Sequence, residues 1–229
     1  MKTIGLIGGM SWESTVTYYR IINETIKDRL GGLHSAKCIL YSVDFDEIER
    51  YQSSGEWGKS AAVLVDAAQA LEKAGADFIV ICTNTMHKVA PDISERIHIP
   101  ILHIADMTAI ALKKAAIRTV GLLGTKYTML EDFYKAVLMD NDIEVVIPDN
   151  EDIETVNRII YDELCLGIIS EESKNTYLKI ISKLSKEGAQ GIILGCTEIG
   201  LLIKQSDTDI PIFDTTLIHA EQAALEAIK

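Results

Sequence analysis

The chain carries the same punctuation twice, in the same order. Gly5-Leu6-Ile7-Gly8, after Lys2-Thr3-Ile4, recurs as Gly121-Leu122-Leu123-Gly124 after Arg118-Thr119-Val120. Lys73-Ala74-Gly75-Ala76 leads through an apolar run to Cys82-Thr83-Asn84-Thr85. Lys186-Glu187-Gly188-Ala189 leads through another to Gly195-Cys196-Thr197-Glu198. Ile99-Pro100-Ile101-Leu102 recurs as Ile210-Pro211-Ile212-Phe213. Only the connections drift in length, so two like halves are expected. Register sets Thr83 of the first half against Cys196 of the second. Two related polar strand ends predict one cleft whose opposite walls carry related groups, a geometry suited to chemistry on the two faces of a small carbon centre.

At 229 residues the chain has room for one large domain or two of about 100 residues each. A net charge of −12 argues against binding nucleic acid or an anionic membrane, which call for basic patches. An anionic substrate then needs local donors that overcome the global field. The four cysteines, Cys38, Cys82, Cys165 and Cys196, show neither metal-ligand spacing nor the density of a small secreted framework. Reduced thiols in a cytoplasmic protein are the expectation. Ile4 to Met10 is too short and glycine-rich for a signal segment, and no apolar run approaches the roughly 18 residues of a membrane helix.

Apolar runs and helical periodicity place strands at Thr3 to Gly8, Lys37 to Val43, Asp77 to Cys82 and Ile101 to Ile104. The second half gives strands at Thr119 to Leu123, Glu144 to Ile147 and Gly191 to Leu194. Helices are expected at Trp12 to Arg29 with Ser11 as N-cap, Trp57 to Lys73, Met129 to Met139, Asp152 to Leu164 and Glu171 to Lys186. Alternation of continuously apolar strands with helices predicts an α/β fold of two pseudo-symmetric domains. Each is a mainly parallel sheet covered by helices, with the active site in the cleft between them. The first domain is expected at 1–105, with 212–229 packing back onto it, and the second at 106–211.

Ligands of open α/β sheets bind beyond the carboxyl ends of the strands. Gly8-Gly9-Met10-Ser11, Asp44 onward, Thr83-Asn84-Thr85, Gly124-Thr125 and Cys196-Thr197-Glu198 all fall there. Backbone N–H groups at the helix starts that follow suit a carboxylate or phosphate. No third glycine completes a dinucleotide fingerprint, and no Walker-type Gly-Lys-Ser/Thr occurs. Cys196 carries the sharpest signal. A thiol has about 3% thiolate at pH 7 when unperturbed, and a helix N-terminus raises that fraction. The alternative is a small residue packed where a strand turns into a helix. Strand alternation turns Cys82 away from Thr83, so a buried, inert role is expected for it, and a structural one for Cys38 and Cys165. His87 and His219 read as satisfied polar groups rather than bases. Glu198 is either a partner for Cys196 or an acid favourable in a first helical turn.

Taken together, Gly5-Leu6-Ile7-Gly8-Gly9-Met10-Ser11-Trp12-Glu13-Ser14-Thr15, Thr83-Asn84-Thr85-Met86-His87 and Gly195-Cys196-Thr197-Glu198 resemble the aspartate/glutamate racemase family along essentially the whole chain. The resemblance implies an isomerase that needs no cofactor, neither pyridoxal phosphate nor metal, and is usually a homodimer. It implies removal of the substrate α-proton by one cysteine and reprotonation from the opposite face by another. The first family cysteine falls on Thr83 and the second on Cys196. Bacterial broad-specificity and L-aspartate/glutamate-specific racemases, which the chain resembles most closely, share that threonine. The same resemblance implies that Met10, Gln52, Asn84, Thr85, Thr125 and Thr197 contact the amino-acid substrate.

Two departures have chemical content. A threonine hydroxyl is far too weak an acid to act as a resting base, so Thr83 is expected to relay a proton with water. Many aspartate racemases also carry a lysine before the glycine that matches Gly167. Leu164-Cys165-Leu166 has none, leaving the distal carboxylate without that cation. Two other readings remain open: a decarboxylase or isomerase of a small dicarboxylate on the same scaffold, and an inactive carboxylate-binding protein.

Overall fold

The computed structural model describes residues 1–229 and divides into two compact units. Unit 1 comprises Met1–Ile104 and His219–Lys229, and unit 2 comprises Ala105–Ile218.

Unit 1 begins with β1 (Ile4–Gly8), α1 (Trp12–Leu30), β2 (Cys38–Ser42), α2 (Phe45–Ser53), α3 (Trp57–Lys73) and β3 (Phe78–Ile81). A 3-10 turn at Thr85–Val89 and α4 (Ala90–Ser94) follow. The strands are parallel, in the order β2-β1-β3. Strand alternation sorts the core into two faces. Ile7, Ile79 and Ile81 pack with Leu64, Ala68 and Leu71 of α3. Ile4, Leu6, Phe78, Val80 and Cys82 pack with Tyr18, Ile22 and Ile26 of α1, and with Ala220, Ala223, Ala224 and Ala227.

Unit 2 starts with most of α5 (Ile104–Lys114), then β4 (Thr119–Gly124), α6 (Lys126–Leu130), α7 (Asp132–Met139), β5 (Glu144–Val146) and α8 (Asn150–Asp162). There follow α9 (Glu171–Lys186), β6 (Gly191–Gly195), α10 (Ile199–Leu202), β7 (Ile212–Asp214) and α11 (Thr215–Ala227), whose later part belongs to unit 1. The sheet is parallel, in the order β5-β4-β6-β7. The duplicated punctuation has a structural counterpart. Each unit places its first strand between its second and third. Each then returns through an Ile-Pro-Ile segment, with Ile79 N–H donating to Pro100 O and Ile192 N–H to Pro211 O, both at 2.8 Å.

Four expectations are corrected. The strand at Ile101 to Ile104 shrinks to a single bridge, Ile79 to Ile101, because α5 already begins at Ile104. The helix at Met129 to Met139 is two helices, broken where Glu131 turns extended at ψ 160. Helix α2 was not anticipated; Asp44 caps it by accepting from Asp46 N–H. The segment 212–229 divides rather than packing back as one piece. Ile212–Asp214 hydrogen-bonds to β6, and only from His219 does the chain join unit 1.

Candidate active site

Parallel strands deliver their carboxyl ends to one edge of a sheet, so each unit collects its polar turns there. In unit 1, Gly9-Met10-Ser11 follows β1. Gly9 has φ 94, and its N–H donates to Thr15 Oγ1 at 2.8 Å, while the Thr15 hydroxyl donates to Ser11 O at 2.9 Å. Ser11 caps α1 by accepting from Ser14 N–H. Met10 is buried. Gln52, near the end of α2, is buried too, and its Nε2 donates to Met86 Sδ at 3.0 Å, tying α2 to the turn after β3. Thr83 is partly exposed at that turn, whereas Asn84 and Thr85 are buried. Cys82, one residue earlier, faces the α1 side of the sheet, and burial pushes its thiol far up. That matches the buried position, turned away from Thr83, expected of it.

In unit 2, Thr125 ends β4 and caps α6, accepting from Thr128 N–H at 3.3 Å. The Cys196-Thr197-Glu198 turn ends β6. Its approach to β4 is tight: a Cβ on Gly195 would lie 2.9 Å from Leu123 O, and one on Gly124 2.8 Å from Gly195 O. Two short hydrogen bonds organise the turn. The Cys196 thiol donates to Glu198 Oε2 at 3.0 Å, and the Thr197 hydroxyl donates to the same oxygen at 2.7 Å. All three side chains are buried, with Cys196 8% exposed.

The expected stabilisation of a Cys196 thiolate is overturned. Burial pushes the thiol well above its usual range, and the Glu198 carboxylate adds to the effect. The helix that follows, Ile199–Leu202, is a single turn, too short to set up much of a dipole. Cys196 therefore rests as a thiol with a carboxylate against it. Of the two roles open to Glu198, the structure shows the partner. No three His, Cys, Asp or Glu side chains converge as a metal-ligand group.

Comparison with known proteins fixes the family. Residues 7–223 match the Asp/Glu/Hydantoin racemase family. The chain belongs to that family. It is 25% identical to the broad specificity amino-acid racemase RacX of Bacillus subtilis (strain 168), over 95% of both chains. A candidate Asp/Glu racemase from Yersinia pestis superposes over 100% of both chains at 58% identity, with a TM-score of 0.93. An aspartate racemase homologue from Pyrococcus horikoshii OT3 does so at 38% identity and 0.87, again over 100% of both. The protein is thus an isomerase of the racemase class. No helix of it is long and apolar enough to cross a membrane.

His87 and His219 are the satisfied polar groups expected of them. Their partners, however, bind the Thr83 turn to segments far along the chain. His87 Nδ1 lies 2.8 Å from Thr83 O, and Ile104 N–H donates to His87 Nε2 at 3.2 Å. His219 Nε2 lies 2.7 Å from Leu102 O, with Tyr18 Oη 2.9 Å from its Nδ1. Nothing in local spacing signals this cluster, because its members are brought together only by the folded unit.

Proposed function

We propose that this racemase interconverts the enantiomers of aspartate or glutamate without a cofactor, using Cys196 as the thiol base and Thr83 on the opposite face of the substrate α-carbon. The observation that carries the reading is the 3.0 Å hydrogen bond from the Cys196 thiol to the Glu198 carboxylate. A buried thiol is a poor base until it loses its proton, and an acceptor at that distance takes it in one step. The thiolate then removes the α-proton and becomes a thiol again. The resulting carbanionic charge spreads onto the substrate α-carboxylate. Neutral side-chain and backbone donors around Asn84-Thr85, Thr125 and Thr197 serve it, with the Thr197 hydroxyl itself committed to Glu198, and one such donor in an oxyanion site contributes about 3 kcal/mol. A solvent proton reaches the other face through the Thr83 hydroxyl, with Met10 and Gln52 completing the substrate contacts. The same reading makes the enzyme cytoplasmic, where cysteines outside any disulfide are at home, and a homodimer, as the family resemblance implies.

Thr83 makes the two faces unequal. Cys196 serves only the enantiomer whose α-hydrogen points at it, expected to be the L form. A one-cysteine site is also the feature that favours the second reading, decarboxylation or isomerisation of a small dicarboxylate. Both are tested by incubating each enantiomer of aspartate and glutamate in heavy water, with proton NMR for α-deuteration and chiral chromatography for product. The racemase reading expects faster α-deuteration of the L form and slow appearance of the D form. Absence of α-deuteration for all four would overturn it.

A further inference from the structure

We propose that His87 is a positioning residue: its imidazole clamps the Thr83 carbonyl and thereby sets the Thr83 face of the site without touching substrate. The inference rests on the role proposed for Thr83 and goes beyond it. In a regular α-helical turn, the Thr83 carbonyl would accept from the backbone N–H of His87. Here that N–H donates to Asn84 O instead, at 3.0 Å, because the turn is a 3-10 helix. The His87 side chain supplies the replacement donor to Thr83 O at 2.8 Å.

The partners dictate the form of the ring. A backbone N–H can only donate, so Nε2, facing Ile104 N–H, is the acceptor, and Nδ1 carries the hydrogen that Thr83 O receives. A protonated ring would set a second N–H against that of Ile104. The surroundings oppose protonation. His87 is 1% exposed, its ring centroid lies 4.6 Å from that of His103 and 5.7 Å from that of His219, and burial and those two rings hold its pKa well below the usual histidine value. His219 is fixed in turn by Leu102 O and the Tyr18 hydroxyl. One bridge therefore joins the end of β3 to Leu102–Ile104, where the chain leaves unit 1. Cys196 and Glu198 belong to unit 2 and have no part in the clamp.

The consequence is a change in partitioning rather than a uniform loss. After Cys196 removes the α-proton, the carbanion either regains a solvent-derived proton on the same face or receives one on the Thr83 face. The first outcome is exchange with retention and the second is racemisation. Loosening Thr83 lowers only the second. The ratio of racemisation to retained exchange, from initial rates on the faster enantiomer in heavy water, does not depend on how much protein is folded. His87→Ala should lower that ratio about tenfold or more, as misplacing a reacting group does. His87→Asn, which returns an N–H near the Nδ1 position, should bring it back toward the wild-type value. An unchanged ratio in His87→Ala overturns the proposal, whatever the absolute rates. Should His87→Ala fail to fold, His87→Asn is compared with His87→Gln, whose amide reaches the Nε2 position instead. The proposal requires the higher ratio for Asn, and equal ratios overturn it. A wild-type protein without exchange would refute the racemase reading and not the clamp. The clamp is then read from amide hydrogen exchange, with faster exchange in residues 82–87 of the variant and none in α8 expected. Unchanged exchange in 82–87 overturns it.

Discussion

At the residue scale the chemistry concentrates in one thiol and one carboxylate. Cys196→Ser keeps the size of the side chain but replaces the thiol by a far weaker acid. It should abolish α-proton exchange while titration calorimetry still detects substrate binding; full exchange would remove Cys196 from the mechanism. Glu198→Gln separates two roles. Losing the carboxylate charge should let the Cys196 thiol ionise at lower pH, so alkylation by a small reagent starts at lower pH. Turnover should nevertheless fall about a hundredfold or more, since the proton acceptor is gone. Alkylation and turnover rising together would contradict this. His219 makes a stability prediction. Burial lowers its pKa from 6.5 to about 4, so between those values the unfolded chain takes up a proton that the folded protein refuses. Its contribution is present above pH 6.5 and is lost as pH falls towards 4, by about 3 kcal/mol in all. Urea unfolding of His219→Gln should lose that much less stability than wild type between pH 7 and pH 4. The place of Cys196 was legible in the chain, since the end of an apolar run marks a strand end. Its acidity was not, because the length of the next helix and the direction of the Glu198 carboxylate arise only on folding.

At the level of elements, the strand ends tolerate little added volume. A Cβ on Gly8 would collide with Thr15 Cγ2 and lie 2.7 Å from Thr15 Oγ1, the oxygen that receives Gly9 N–H. Gly8→Ala should therefore push α1 away from β1, lowering stability by about 1–3 kcal/mol on chemical denaturation and lowering activity with it. Wild-type stability and turnover in that variant would show the turn to be more compliant. Helices α1, α3 and α9 were readable almost to the residue because each carries a long apolar face at helical spacing and a recognisable end. Helix α2 spans only Phe45–Ser53 and buries just Ile48 and Gln52, so it offers too few apolar positions to mark a helix among acids and arginine. The break at Glu131 involves neither glycine nor proline, and sequence offers no mark for it. Ile104 reads as strand by its apolar neighbours, yet its N–H is taken by His87, which only the fold brings there.

For the molecule as a whole, the duplicated architecture was visible because glycines, prolines and polar strand ends recur in order. The division of the last segment was not visible, since β7 and α11 are both apolar and adjacent. That division has a consequence for the order of assembly. Unit 2 is continuous, whereas unit 1 needs Ala220, Ala223, Ala224 and Ala227 to cover Ile4, Leu6, Tyr18 and Cys82. Domains emerging from the ribosome usually fold N-terminal first. Here the earlier-made unit must wait, with one face of its sheet covered by α1 alone, until the later one has been synthesised. A fragment of residues 105–218 should melt cooperatively by circular dichroism, while 1–104 should do so only after a peptide of residues 215–229 is added. Cooperative melting of 1–104 alone would count against this order. Where it holds, the nascent chain depends for its solubility on shielding the part of that face which α1 leaves open, so mutations that slow translation of the second unit would lengthen the exposure of the first.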